Sequence, residues 1–136
     1  MKQNESPFKF NDYKIVKSYI EFPAKGNSDQ AINIEIKPSG IRDGNLFRLT
    51  LDTTIKNNTN TLNLNVVMVG EFEFRNIPEE KLGIYFIVNA PAIMFPYIRS
   101  YISTLSSLSG IPTIILPTLN MTSLAEELSK NIVGNG

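Results

Sequence analysis

The sequence of 136 residues contains no cysteine and no histidine, and these absences remove most routes to catalysis and metal binding. Without cysteine there is no disulfide bond, no thiolate nucleophile and no cysteine-based zinc or iron–sulfur site. Without histidine the chain lacks the commonest general base near neutral pH and the commonest transition-metal ligand. We therefore expect a protein that is not an enzyme and that holds no metal and no cofactor.

A basic surface is also lacking, because 13 acidic residues balance 13 basic ones and the basic residues form no run. A protein that tracks nucleic-acid phosphates needs a basic stripe, so no nucleic-acid partner is expected. The N-terminal residues lack the apolar core of a secretory signal, which makes the cytoplasm the expected location. By length, residues 1–136 are expected to form a single domain.

Charge is scarcest between Leu82 and Ala125, where Arg99 is the one charged side chain. The segment is interrupted by Asn89, Pro91 and Pro96, so it falls short of the roughly 18 clean apolar residues that a membrane-spanning helix requires. No membrane insertion is expected. We interpret the segment as core together with a subunit interface.

Alternation of apolar and polar residues predicts a long antiparallel hairpin. One strand buries alternate positions from Phe47 to Ile55, a polar turn follows at residues 57–60, and the second strand runs from Leu62 to Phe74. Gly70 interrupts the second strand, where we expect a bulge or a close backbone approach.

Two further strands are predicted upstream of the hairpin. Ile32, Ile34 and Ile36 alternate with polar residues and form a third strand. The segment 8–22 is also rich in strand-forming residues, but its apolar set changes face, so we expect a bent or bulged strand near residues 17–18.

Helical signals begin after Pro78. A short helix or turn is expected to lead to Pro91, and the main helix should run from Ala92 or Pro96 to Ser109, stopped by Gly110. A last amphipathic helix should begin near residue 122 and include Ile132 on its apolar side, with residues 134–136 fraying. The apolar stripe of the main helix is predicted to comprise Met94, Ile98, Tyr101, Leu105 and Leu108.

The opposite face of the main helix carries Ser100, Ser103, Thr104 and Ser107, where exposed helices normally carry lysine and glutamate. Small hydroxyl residues allow two helix axes to approach closely. This pattern favours a helix packed on both sides in an oligomer, and the alternative is a solvated serine-rich face.

Residues 90–99 read APAIMFPYIR, followed by Ile-Pro at 111–112 and LPTLN at 116–120. This combination resembles the SecB family of export chaperones. The resemblance implies an α+β fold with a four-stranded antiparallel sheet followed by a long helix and a shorter C-terminal helix. It also implies a homotetramer assembled as a dimer of dimers.

The function implied by the resemblance is an ATP-independent holdase that binds unfolded polypeptides, including preproteins for export, in an apolar groove. The implied client-binding residues are Phe22, Ile32, Phe72, Phe74, Leu116, Leu119 and Leu124. The implied oligomer interface comprises Tyr97, Arg99, Ser100, Ser103, Thr104 and Ser107. The acidic sheet face of the family is replaced here around residues 63–65, which puts docking to the SecA motor in doubt.

Three alternatives remain open at this point. A related chaperone could serve a toxin–antitoxin system, an oligomeric adaptor could bind one folded partner, and a pocket could bind a compact apolar ligand. A chaperone should accept many unfolded clients, whereas an adaptor should select one partner.

Overall fold

The computed structural model describes residues 6–24, 31–117 and 121–135. Its strands and helices are β1 (Phe8–Glu21), β2 (Ile32–Asp43), β3 (Leu46–Asn57), β4 (Asn63–Phe74), α1 (Glu79–Ile84), α2 (Ala90–Leu108), α3 (Met121–Ser129) and β5 (Ile132–Asn135). The sheet order is β1-β4-β3-β2-β5. The fold is α+β, as predicted, with the long helix and the short C-terminal helix packed against the sheet.

The hairpin of β3 and β4 is confirmed, and it forms the centre of the molecule. Every second residue of both strands is buried, from Phe47 to Asn57 and from Leu64 to Phe74. At Gly70 the pairing with β3 runs on without a bulge, and the close approach is made by a side chain, since an added Cβ atom would lie 2.5 Å from the sulfur of Met94. The side chain of Met94 therefore occupies the space that any larger residue at position 70 would need.

Strand β1 lies at one edge of the sheet and pairs with β4. Its register shifts twice, between Phe10 and Asp12 and again between Ile15 and Lys17. The second shift lies next to the predicted bend. Each bulge inserts one unpaired residue, so the strand keeps its pairing while the apolar set changes face.

The predicted four-stranded antiparallel sheet is wrong in one respect, because the sheet has five strands and is mixed. Residues 132–135, expected to end a helix and fray, form β5, which pairs in parallel with β2 over Gly40–Asp43. The strand β2 would otherwise leave that stretch of its edge unpaired, and backbone groups at an edge readily accept another strand.

The predicted break before Pro91 is also wrong, because the backbone is helical from Glu79 to Leu108. A π-helical turn, Tyr85–Asn89, joins α1 to α2. Proline cannot donate its backbone hydrogen bond, and its ring collides with the carbonyl one turn earlier. The extra residue in the widened turn accommodates Pro91 without ending the helix.

The buried line of α2 differs from the predicted stripe. It follows Met94, Ile98, Ile102 and Ser106, whereas Leu108 is 83% exposed. In the described part of the chain, Glu79–Leu108 is a helix long and apolar enough to cross a membrane by length and composition. A core helix passes the same test, so this is a weak indication.

Candidate functional site

The exposed face of α2 forms a groove with a volume of about 510 Å³. We call it the helix groove. Its lining residues are Phe95, Pro96, Arg99, Ser100, Ser103 and Thr104. Four of these belong to the predicted oligomer interface, and the sequence reasoning missed Phe95 and Pro96.

Arg99 is exposed in the helix groove and has no ion-pair partner among the described residues. An arginine guanidinium is always charged and presents a planar set of donors that fits a carboxylate. The groove therefore combines an apolar wall, a hydroxyl-bearing wall and one cation. A partner that fills it needs apolar surface with an acceptor opposite Arg99.

The serine residues of α2 hold the segment that follows the helix, Ile111–Pro117, which we call the connector. Buried Ser106 accepts a hydrogen bond from the backbone N–H of Ile114 at 2.8 Å and donates to the carbonyl of Ile102 at 2.9 Å. Ser103 donates to the carbonyl of Ile114 at 2.9 Å.

A third contact extends this arrangement, because Ser107 and Thr113 share a hydrogen bond at 2.6 Å. Two of the residues predicted to face another subunit, Ser103 and Ser107, thus have partners within the chain. No sequence pattern indicated this contact, because it depends on where the connector returns along the helix.

An aromatic cluster fills the end of the sheet where β4 ends. The rings of Phe47 and Phe86 stack at 4.1 Å between centroids, and those of Phe8 and Phe72 stack at 4.9 Å. Phe74 meets Phe86 edge-on at 5.2 Å. Such ring pairs add stability beyond the area that they bury, so this end of the core is firmly packed.

Arg42 joins the edge of the sheet to the start of the long helix. Its guanidinium forms a two-pronged ion pair with Glu79, at 2.6 and 3.1 Å, and lies 5.3 Å from the ring centre of Phe74. The hydrogen bonds from Arg42 hold the pKa of Glu79 below its usual value. The Nε atom of Arg42 is buried and has no partner among the described residues.

The implied client-binding residues lie at two ends of the sheet. Ile32 pairs with Asn57, and Phe72 pairs with Phe47. Ten residues of β3 separate the two positions, which is about 33 Å along a strand.

These residues also differ in access. Phe22 and Ile32 are half-buried, whereas Phe72, Phe74, Leu116 and Leu124 are buried. Leu119 lies outside the described residues. A client that binds this chain as described meets Phe22 and Ile32 first, and the buried four are reached only if covering elements move.

The face of the sheet away from the helices is polar. The amide of Asn65 donates to the carboxylate of Asp52 at 2.7 Å and to the hydroxyl of Thr54 at 3.1 Å. Arg75 lowers the pKa of the Glu73 carboxyl through hydrogen bonds. This face has its charges largely balanced, so it offers no concentrated acidic patch at its centre.

The described residues contain no group of three or more histidine, cysteine, aspartate or glutamate side chains that could hold a metal ion. The described surface offers exposed apolar side chains and, in the helix groove, the guanidinium of Arg99.

Comparison with protein families places these features in context. Residues 11–131 match the family described as preprotein translocase subunit SecB. The chain belongs to the SecB family. The protein-export protein SecB of Chromobacterium violaceum is 33% identical over 97 residues, which cover 68% of this chain and 65% of that protein. The SecB of Methylobacillus flagellatus is 35% identical over 72 residues, covering 52% of this chain and 46% of that protein.

The chain thus spans about half to two thirds of the length of these SecB relatives. Among solved structures, a SecB-like chaperone of Mycobacterium tuberculosis in complex with a ChAD peptide from the HigA1 antitoxin has the same fold. The TM-score is 0.70 at 16% sequence identity, over 84% of this chain and 91% of that chain. The likeness at this identity concerns the fold.

Proposed function

We propose that this chain is an ATP-independent, non-enzymatic chaperone of the cytoplasm that holds non-native polypeptides, including preproteins destined for export. Membership of the SecB family supports the export role. The chain carries none of the usual histidine or cysteine chemistry, so its action would be binding and release.

The observation that carries this proposal is the amount of apolar surface left outside the core. Among the described residues, ten large apolar side chains are exposed, and Leu108, Ile84, Ile115 and Val133 are each exposed by 60% or more. Where such residues adjoin, as the rings of Tyr13 and Tyr97 do at 4.9 Å between centroids, they form a surface suited to contact with another chain. A holdase needs such surface for unfolded segments and for its own assembly.

We assign the helix groove to self-association and the end of the sheet that carries Phe22 and Ile32 to clients. The groove is lined by Phe95, Pro96, three small hydroxyl residues and one cation, which suits a fixed partner of the same sequence. Phe22 and Ile32 are half-buried apolar side chains among exposed polar residues, and their partial exposure suits variable clients. Docking to a SecA motor is not part of the proposal.

The test is an aggregation assay with a chemically denatured protein diluted into buffer, with and without this chain and without ATP. Light scattering should fall when the chain is present at near-stoichiometric amounts. The folded form of the same test protein should not bind. If scattering is unchanged, the holdase proposal is wrong.

A pair of matched variants assigns the client surface. Ile32→Ala should weaken suppression several-fold, because the side chain is half-buried at the proposed client end of β2. Ile15→Ala is the control, since Ile15 is also a half-buried strand isoleucine packed against the core but lies on the opposite edge strand. If Ile32→Ala and Ile15→Ala lose suppression of aggregation equally, the assignment of the client surface is wrong.

A second pair assigns the self-association surface. Ser100→Glu introduces a charge into the helix groove and should lower the native mass, whereas Ser39→Glu, exposed on β2, should not. A native mass that is unchanged by Ser100→Glu contradicts the assignment of the groove.

One second candidate has a specific observation behind it. The solved structure with this fold holds a peptide from an antitoxin, so a toxin–antitoxin role is an alternative source of clients. Selective binding of one antitoxin segment, with no protection of unrelated denatured proteins, would favour that role. Selective binding of one folded protein would instead indicate an adaptor.

A further inference from the structure

The C-terminal strand β5 occupies an edge of the sheet that an extended polypeptide could occupy instead. It has four residues, pairs in parallel with Gly40–Asp43, and leaves Val133 64% exposed. Parallel pairing is slightly less stable per residue than antiparallel pairing, and a strand this short has few bonds to lose. Segments with few buried contacts open at low free energy.

Beyond Pro38, the rest of this edge is available for pairing; Pro38 itself has no N–H, and its carbonyl accepts a hydrogen bond from Nδ2 of Asn131 at 3.5 Å. The N–H of Gly40 donates to the carbonyl of Asn131 at 3.0 Å, which shows that alternate backbone groups of β2 point toward β5. By that alternation the backbone groups of Ile36, Ile34 and Ile32 point to the same edge. Within the described ranges no strand pairs with that stretch. Our proposed client residue Ile32 lies at its far end.

Beneath β5 lies the aromatic cluster. A Cβ atom added to Gly40 would lie 2.7 Å from the ring of Phe47 and 3.3 Å from Cγ1 of Ile132. The side chain of Ile132 therefore sits over Gly40 beside the stacked pair of Phe47 and Phe86. Removal of β5 would uncover backbone donors and acceptors together with an apolar position.

From this arrangement we infer that β5 is an internal substitute for a client: it closes the Gly40–Asp43 edge of β2, and an extended non-native segment replaces it. The inference rests on the proposed function. The replacing segment would add as a strand and place a branched aliphatic side chain where Ile132 lies. Main-chain hydrogen bonds provide affinity in this mode, so clients of many sequences would be accepted.

Helix α3 allows this exchange without unfolding. Leu124 and Leu128 anchor α3 in the core, and the helix ends where the N–H of Asn131 donates to the carbonyl of Leu128 at 2.9 Å. The hinge for β5 is thus Asn131, directly after a fixed helix end. Release of four residues exposes the edge while α3 keeps its place on β2.

Gly134 provides the variant that tests the inference. Its φ is +137°, and a Cβ atom there would lie 1.9 Å from the backbone oxygen of Arg42. Gly134→Ala therefore cannot pair as β5 does. Gly83→Ala is the matched control, because Gly83 lies in α1 and an added Cβ atom meets nothing within 4 Å.

Amide hydrogen exchange over residues 38–43 first shows whether β5 has left the edge of β2. Protection of these amides from exchange should fall in Gly134→Ala and stay unchanged in Gly83→Ala. The Gly134→Ala variant should then bind denatured client about tenfold more tightly than the wild type. This gain is expected if β5 leaves the edge of β2 open in about a tenth of the wild-type molecules. If Gly134→Ala keeps its protection, Ile132→Asp serves as the second release variant.

A labelled peptide of residues 129–136 provides a readout independent of clients. It should bind Gly134→Ala, compete with client and bind the wild type about tenfold more weakly, whereas a peptide with proline at alternate positions, which lacks the pairing N–H groups, should bind neither. If the wild type holds client and the released chain holds it no better, the inference is overturned. If no form suppresses aggregation, the proposed function itself fails.

Discussion

The central hairpin and the long helix, compared side by side, show two different ways of using apolar residues. In β3 and β4 every second residue is buried within the chain, and the polar residues between them face outward. In the long helix only 33% of the most apolar stretch is buried. The hairpin is thus explained by the fold of one chain, whereas the helix carries more apolar surface than one chain covers.

Segments that are poor in charge are therefore used in two different ways in this protein. In the hairpin, apolar positions recur with the period of a strand and are fully used by the core. In α2 the buried line is narrow, and the remaining face holds the connector and lines the helix groove. We expect substitutions in the two regions to differ accordingly in their effect on stability.

The largest expected difference in the free energy of unfolding is between Phe47→Ala and Leu108→Ala. Phe47 is fully buried and stacked on Phe86, so its truncation should lower the free energy of unfolding by about 3–5 kcal/mol. Leu108 is mostly exposed, and its truncation should change that free energy by less than about 0.5 kcal/mol. Urea denaturation measures both. A large loss for Leu108→Ala that depends on protein concentration would show that assembly covers the helix end.

The next difference lies within the helix, between Ser106→Ala and Ser107→Ala. Ser106 is fully buried, and its loss leaves the N–H of Ile114 without a partner, which should cost about 1–3 kcal/mol. Ser107 is exposed, and water can replace it on Thr113, so the change should be near zero. Equal losses in urea denaturation would mean that the serines do not act by holding the connector.

These two cases show what the sequence could and could not predict. Strands β1–β4 and the helix stop at Gly110 depend on neighbouring residues and were predictable, whereas the contact at Gly70 comes from the side chain of Met94 on another element. The π-helical turn and β5 were not, because one depends on the accommodation of Pro91 and the other on an edge 90 residues away. The serine-rich face of α2 was recognised, but its link to Ile114 depends on the path of the connector.

The residues of the candidate site were also predictable from the sequence only in part. Periodicity identified Ile32 and Phe72 as apolar strand residues, yet periodicity alone does not separate the two ends of a long strand. Burial decides their access: the rings of Phe8 and Phe10 on β1 stack on Phe72, whereas Ile32 stays half-buried. Arg42 drew no attention in the sequence, since its ion pair joins residues that are 37 positions apart.

A smaller effect, this time a rise in the free energy of unfolding, is expected at Thr53, a buried polar residue of the hairpin. Its hydroxyl is buried, with no hydrogen-bond partner among the described residues. Thr53→Val keeps the shape and removes the unsatisfied group, so the free energy of unfolding should rise by about 1 kcal/mol. Thr54→Val is the control, because Thr54 accepts a hydrogen bond from Asn65 on the outer face and should not gain. A loss of stability for Thr53→Val would show that its hydroxyl is satisfied.

The smallest expected effect lies where the two regions meet, at the ion pair of Arg42 and Glu79. The folded state lowers the pKa of Glu79, so the pair stabilises the fold at pH values above the unfolded pKa of about 4.3 and stops doing so as pH falls through the folded pKa. Glu79 is mostly exposed, which keeps the effect small. The urea midpoint of the wild type should exceed that of Glu79→Gln slightly at pH 7, and the difference should vanish once acidification has passed below the lowered folded pKa. A difference that is independent of pH would mean that Glu79 acts through helix packing and that its charge has no part in joining the helix to the sheet.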